Sequence, residues 1–265
     1  MSAPRIHVIP AAGCDKALVL RRGPSRFVAS LLWDRKTNTL ELGQWLRGRI
    51  YEHRSDLSPD GRHMIIFAGN GRRWWTTISR APWLTALYWE PQDSTWHGGG
   101  AFTAEGRVFF NGATPPDTLP DNLKPADPHA FPHGTDGFHM GALYPAVLAS
   151  RGWEIVGGEG IDTVLQRSLG GGWRLRLSFR VGGRNRSILS NAYALERDAA
   201  VLGQPVWEWA EPWADGLQVA MRGGLWSVPL SSAGAGEPVC LHDLTDMAFE
   251  PREAPYRGVR SESAR

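Results

Sequence analysis

Ser58-Pro59-Asp60-Gly61-Arg62-His63-Met64-Ile65-Ile66-Phe67 is the stretch on which the reading of this chain turns. Asp60-Gly61 is a strong short hairpin signal, because glycine accepts the positive φ that a tight turn between antiparallel strands demands. Pro59 suits the approach: its φ is fixed and it donates nothing to a ladder. The apolar run Met64–Phe67 that follows has strand length and the character of a strand buried on both faces. Thr103-Ala104-Glu105-Gly106-Arg107-Val108-Phe109-Phe110 repeats the phrase without its proline. Looser copies begin at Ser150-Arg151-Gly152-Trp153 and Trp213-Ala214-Asp215-Gly216. Each predicts a turn leading into a strand, although Gly152 lacks the acidic neighbour of the others.

The four glycines lie 45, 46 and 64 residues apart. A period of about 40–45 residues is that of a propeller blade of four strands. Sixteen short runs rich in β-branched and aromatic residues, split by Gly, Pro, Asn and Asp, agree with it. No long amphipathic helical pattern interrupts them. The chain is therefore expected to be all-β, a single irregular β-propeller of five blades with six as the alternative, closed by pairing of its N- and C-terminal strands. Ser58-Pro59-Asp60-Gly61-Arg62 before an apolar strand resembles the repeat of the TolB-type, WD40-like β-propellers. That resemblance implies a propeller used for protein contacts; the fold itself fixes no function.

One stretch breaks the pattern. Residues 112–137 carry six prolines in a polar, aperiodic context and are expected to form a long insertion over one rim. The propeller domain is placed at residues 1–256, with a frayed polar tail at 257–265.

Composition narrows the function by exclusion. In 265 residues, 29 basic and 27 acidic side chains give a net charge of +2, and the basic residues form no long run. Nucleic acid is not expected as a partner. No apolar segment approaches the ~20 residues of a membrane span, so no membrane partner is expected either. Cys14 and Cys240 are expected to be thiols in a cytoplasmic protein. Arginine supplies 26 of the 29 basic residues, as in a GC-rich bacterium.

The candidate sites are few. His129, His133 and His139 share the proline-rich stretch with Asp127 and Asp136, residue types that ligate zinc, but their spacing fits no zinc motif. Thirteen tryptophans include Trp207 and Trp209, which flank Glu208 and are expected to share one sheet face as an aromatic binding patch. Arg184 and Arg186 close an arginine-rich hairpin suited to an acidic partner. Asp34, Asp60, Asp162, Asp215, Asp243 and Asp246 have no catalytic motif around them. There is no nucleophile elbow, phosphate loop or dinucleotide fingerprint, and no cofactor is expected. The leading expectation is a non-catalytic propeller that binds a protein partner on one rim through Arg184, Arg186, Trp207 and Trp209. The alternative is a carbohydrate-binding or carbohydrate-active propeller. That reading requires a central funnel with carboxylates beside a tryptophan.

Overall fold

The computed structural model describes residues 3–23, 26–133, 140–181, 189–198, 200–203 and 206–256. The fold is an all-β propeller of four blades, fewer than the five or six expected. Blade 1 is a four-stranded antiparallel meander of β1 (Arg5–Pro10), β2 (Lys16–Arg22), β3 (Phe27–Asp34) and β4 (Thr39–Arg47). Blade 2 contains β5 (Arg49–Ile50), β6 (Asp56–Leu57), β7 (His63–Gly69), β8 (Trp74–Arg80) and β9 (Tyr88–Gln92), with β5 and β6 both pairing with β7. A two-stranded hairpin, β10 (Gly100–Phe102) and β11 (Val108–Phe110), and a helix, α1 (Met140–Ser150), follow.

Blade 3 is β12 (Glu154–Gly157), β13 (Val164–Gly170), β14 (Trp173–Val181), β15 (Leu189–Arg197) and β16 (Ala200–Gly203), in that order. Blade 4 is β17 (Trp209–Trp213), β18 (Gly216–Met221), β19 (Gly224–Ser231), β20 (Gly234–Ala235) and β21 (Val239–Asp243), with β20 and β21 both on β19.

Two-sided burial explains the apolar runs. Along β2, Ala17 and Val19 pack toward blade 4, while Leu18 and Leu20 pack toward blade 2. β7 does the same: Met64 and Ile66 face blade 1, and Ile65 faces the hairpin. Each buried side chain of this size contributes roughly 1.5–3 kcal/mol relative to an exposed one. Further clusters join blade 3 to blade 4 and the hairpin to α1.

The repeated phrase has three structural outcomes. At Asp60-Gly61 it is the expected hairpin turn, with Gly61 at φ 70° and its N–H on Ser58 O at 2.8 Å. Ser58 Oγ braces the turn, accepting from His63 N at 2.9 Å and donating to Asp60 Oδ1 at 2.6 Å. Gly106, at φ 78°, turns β10 into β11 in the same way. Gly152 instead caps α1: its N–H bonds Ala149 O at 3.1 Å and the Trp153 N–H bonds Leu148 O at 3.1 Å. This is the paired-bond helix stop that favours a left-handed glycine. In the fourth copy the positive φ falls on Ala214, and Gly216 is already the first residue of β18.

The third copy therefore ends a helix where a hairpin was expected, and the blade count drops accordingly. The described part of residues 112–137 is tied to the β10–β11 hairpin. Val108 N–H bonds Lys124 O, Ala126 N–H bonds Val108 O, and Ala126 and Phe131 are buried beside Phe109.

Closure does not use a shared blade. Among the described residues β1 pairs only with β2, and β21 only with β19. Arg21, 2% exposed, instead donates from Nε to Leu244 O and from Nη2 to Thr245 O, both at 3.0 Å. The segment after β21 then crosses blade 1. Phe249 packs on Phe27 with ring centroids 4.8 Å apart, the Gln44 side chain bonds Arg252 O at 2.9 Å, and the Tyr256 hydroxyl reaches Thr85 O at 2.7 Å.

Gly61→Val places a β-branched residue at positive φ, with its Cβ 2.9 Å from Lys16 Cδ and 3.2 Å from Cys14 Sγ. The expected loss is about 1–3 kcal/mol in urea denaturation; an unchanged midpoint would contradict this account of the turn.

Candidate functional site

The inner elements converge on the axis. β1 supplies His7, the single turn Glu52–Arg54 supplies His53, and β6 supplies Asp56. Tyr144 comes from α1, Asn191 and Tyr193 from β15, and Glu211 from β17. All of these but Asn191 line a cavity of about 30 Å³, room for one or two water molecules. α1 contributes Leu143, Tyr144, Val147 and Leu148 to its wall.

Most of these groups are engaged, while His7 Nε2 is buried without a hydrogen-bond partner among the described residues. His53 Nε2 lies 3.1 Å from Asn191 Oδ1, and Tyr144 packs edge-on to His53 at 4.6 Å. Asp56 accepts both Arg151 Nη2 contacts, at 2.6 and 2.7 Å, and the N–H groups of Leu57 and Phe102, each at 2.8 Å. Arg151 also donates to Pro10 O at 3.1 Å. Glu211 accepts from Arg167 and from Trp153 Nε1.

Burial, with His53 beside it, pushes His7 down to about 3. Burial likewise raises the hydroxyls of Tyr144 and Tyr193. It also raises the carboxyl of Glu211 against the pull of Arg167 and Arg35. Two carboxylates flanking a sugar bond need about 5–10 Å of open space between them. Here Asp56 and Glu211 are engaged by arginines around a cavity too small for a sugar ring.

The larger concavity is on the rim between blades 1 and 2, a groove of about 640 Å³. That is within the usual range for ligand sites, roughly 300–1,000 Å³. Lys16 and Glu41 line its blade 1 side, Arg62 and Arg80 its blade 2 side, and Trp83 and Tyr256 complete it. The Asp60-Gly61 turn forms part of this wall, and a Cβ on Gly61 would strike the Lys16 chain. Asp121 anchors the neighbouring loop: its carboxylate takes Arg80 at 2.6 and 2.7 Å and His63 Nε2 at 2.9 Å. The Arg80 bond, outweighing burial and joined by His63, holds Asp121 at about 2. The Arg252 guanidinium sits over the Trp83 ring at 5.3 Å.

The expected site residues do not assemble into one patch. Trp207 and Trp209 are 9% and 3% exposed and belong to different core clusters, because β17 begins only at Trp209. They are packing residues between blades, which corrects the shared aromatic face. Arg184, Arg186 and His139 lie outside the described residues. On the same hairpin, Arg174 and Arg176 both face Glu196. His133 Nδ1 accepts the Gly112 N–H at 2.9 Å, and its ring packs on Phe109; His129 is exposed. Among the described residues no group of three or more His, Cys, Asp or Glu is placed to hold a metal. Cys14 and Cys240 are free thiols.

Asp34, Asp60 and Asp243 spend their carboxylates on turn amides. The sequence reading passed over Asp56, Glu211 and Arg151. Their ion-pair partners lie 44 and 95 residues away, and no local motif marks them.

No protein-family model matches the chain, and no curated protein matches it. Among solved structures it is similar to an uncharacterized protein of Listeria monocytogenes, at 7% identity over 91% of this chain and 67% of that one, TM-score 0.33. It is also similar to an acylaminoacyl peptidase in complex with a chloromethyl ketone, at 7% identity over 84% of this chain and 38% of that one, TM-score 0.27. The acylaminoacyl peptidase of Pyrococcus horikoshii gives 9% identity, 87% and 39% coverage and a TM-score of 0.27. All three TM-scores are below 0.5, and none of these likenesses bears on activity. The chain spans under two fifths of the length of either peptidase.

Asp56→Asn leaves Arg151 without its counter-charge and is expected to cost about 3–5 kcal/mol, read by urea denaturation. Adding Arg151→Met should recover part of that loss; a double variant no more stable than the single would show that the pair is not the source. Asp121 is depressed in the folded protein, so its stabilisation is present above the unfolded value near ~4 and is lost as pH falls toward about 2. Asp121→Asn should therefore flatten the acid limb of a Tm-against-pH curve between those values. A curve parallel to that of the unaltered protein would refute the assignment.

Proposed function

We propose that this chain is a non-catalytic interaction propeller that binds a protein partner at the rim groove between blades 1 and 2. The observation that carries this reading is the filled axis. A funnel for catalysis needs open carboxylates, whereas Asp56 is bonded to Arg151 and two amides, and Glu211 to Arg167 and Trp153. The rim groove offers concave area with charges of both signs, and Arg62 stands largely free of the fold, its side chain 78% exposed. Exposed arginines contribute little to stability but often dominate association.

A second reading, sugar binding in the same groove, draws on Trp83 and Tyr256 beside Glu41. Two contacts weigh against it: Arg252 lies over the Trp83 ring, and Asp121 is spent on Arg80 and His63.

Capture from a lysate of the native host, followed by identification of the retained protein, tests the proposal. The double variant Lys16→Glu, Arg62→Glu should lose that partner by tenfold or more while unfolding within about 0.5 kcal/mol of the unaltered protein. Undiminished capture by the variant would remove the groove as the site. Saturable quenching of tryptophan fluorescence by an oligosaccharide, lost on Trp83→Ala, would favour the second reading.

A further inference from the structure

At the head of β1, two residues from His7 and on the same face of the strand, three arginines converge with donors to spare. Arg5 and Arg22 are direct cross-strand partners in blade 1, and Arg49 opens β5. Like charges placed opposite each other on adjacent strands repel. Arg5 Nη1, Arg22 Nη1 and Arg49 Nε are all buried atoms without a hydrogen-bond partner among the described residues. The three side chains are nevertheless only half-buried and remain within reach of solvent.

The charges around them do not balance. Burial, reinforced by Arg49 and Arg5 and only partly offset by Glu52, lowers the Arg22 guanidinium. Glu52 is a carboxylate beside them. Burial opposes its ionisation, but His53, His7 and Arg49 together hold it below the usual range. Glu208 is already committed, accepting the Ile6 N–H at 2.6 Å, and burial raises it. His7 and His53 stand beside Glu52, and burial lowers both. Three guanidinium groups thus crowd one strand end with unpartnered donors, and Glu52 and Glu208 are the carboxylates beside them among the described residues.

We propose that Arg5, Arg22 and Arg49 form a binding site for a phosphate-type dianion beside Glu52. A phosphate group brings more negative charge and more acceptor oxygens to three guanidinium groups than a carboxylate does. The several oxygens of a phosphate group also accept the unspent, forked guanidinium donors simultaneously. The group is either free phosphate or the ester of a small molecule, since both present the same oxygens. This site is separate from the rim groove and stands or falls independently of partner binding there.

The test is thermal unfolding at constant ionic strength near pH 7.5, replacing chloride stepwise with inorganic phosphate. Binding to the folded state raises Tm with ligand concentration. The unaltered protein should show a rise of several degrees. Arg22→Gln should raise Tm in phosphate-free buffer, because it relieves repulsion, and should weaken phosphate affinity tenfold or more. Arg72→Gln, an exposed arginine elsewhere, should keep the full response. Titration of Arg49→Gln by calorimetry provides a second variant should Arg22→Gln fold poorly. Repeating the titration with glycerol phosphate separates the sources: tighter binding of the ester assigns the site to a phosphorylated small molecule, and tighter binding of inorganic phosphate assigns it to the free ion. A Tm rise no greater than chloride gives, or a phosphate response unchanged in both arginine variants, would overturn the site.

Discussion

Asp56 is the point at which four parts of the molecule are tied together. Its carboxylate takes the N–H of Phe102 in the hairpin, the N–H of Leu57 in blade 2, and the Arg151 guanidinium just beyond α1. Arg151 carries the connection to the end of β1 through Pro10 O. At 1% exposure the charge of Asp56 would be very costly without this arginine. A buried ion pair adds little net stability over an apolar substitute, but loss of one partner is severe. The pair therefore fixes where α1 sits, and α1 in turn fixes what the axis can be.

The blades supply the remaining cohesion by burying both faces of their strands. β2 and β7 contribute alternate side chains to clusters on either side, so that blade 1 is joined to blades 4 and 2, and blade 2 to the hairpin as well. Where the chain would build another blade it has only two strands, and apolar side chains of the helix, Leu143 and Val147, fill the hairpin's open side against Phe109. Closure by Arg21 and by the segment running to Tyr256 replaces a shared strand with side-chain bonds and aromatic packing.

The legible parts of the fold were those encoded locally. Asp60-Gly61 and Glu105-Gly106 announced real hairpins. Gly152 misled because a left-handed glycine serves a helix end as readily as a hairpin. α1 stayed hidden because it presents no polar face and carries Pro145 inside. A helix packed within a ring has no amphipathic period to read. The site was less legible still. Trp207 and Trp209 looked like an exposed pair because strand alternation was extended one step beyond where β17 begins. Asp56, Arg151 and Glu211 are defined by contacts across the fold, and a single sequence carries no trace of such pairings.

The central claim is that the axis is a closed, rigid core held by α1, with recognition assigned to the outer surface. Amide hydrogen exchange under native conditions tests it most directly. The account predicts that the amides of α1, together with Leu57 and Phe102 beside the Asp56 carboxylate, exchange only through global unfolding, in step with the central strands β2 and β7. Exchange of α1 orders of magnitude faster than those strands, through a local opening, would contradict it: the helix would then be a displaceable plug over an accessible axial site.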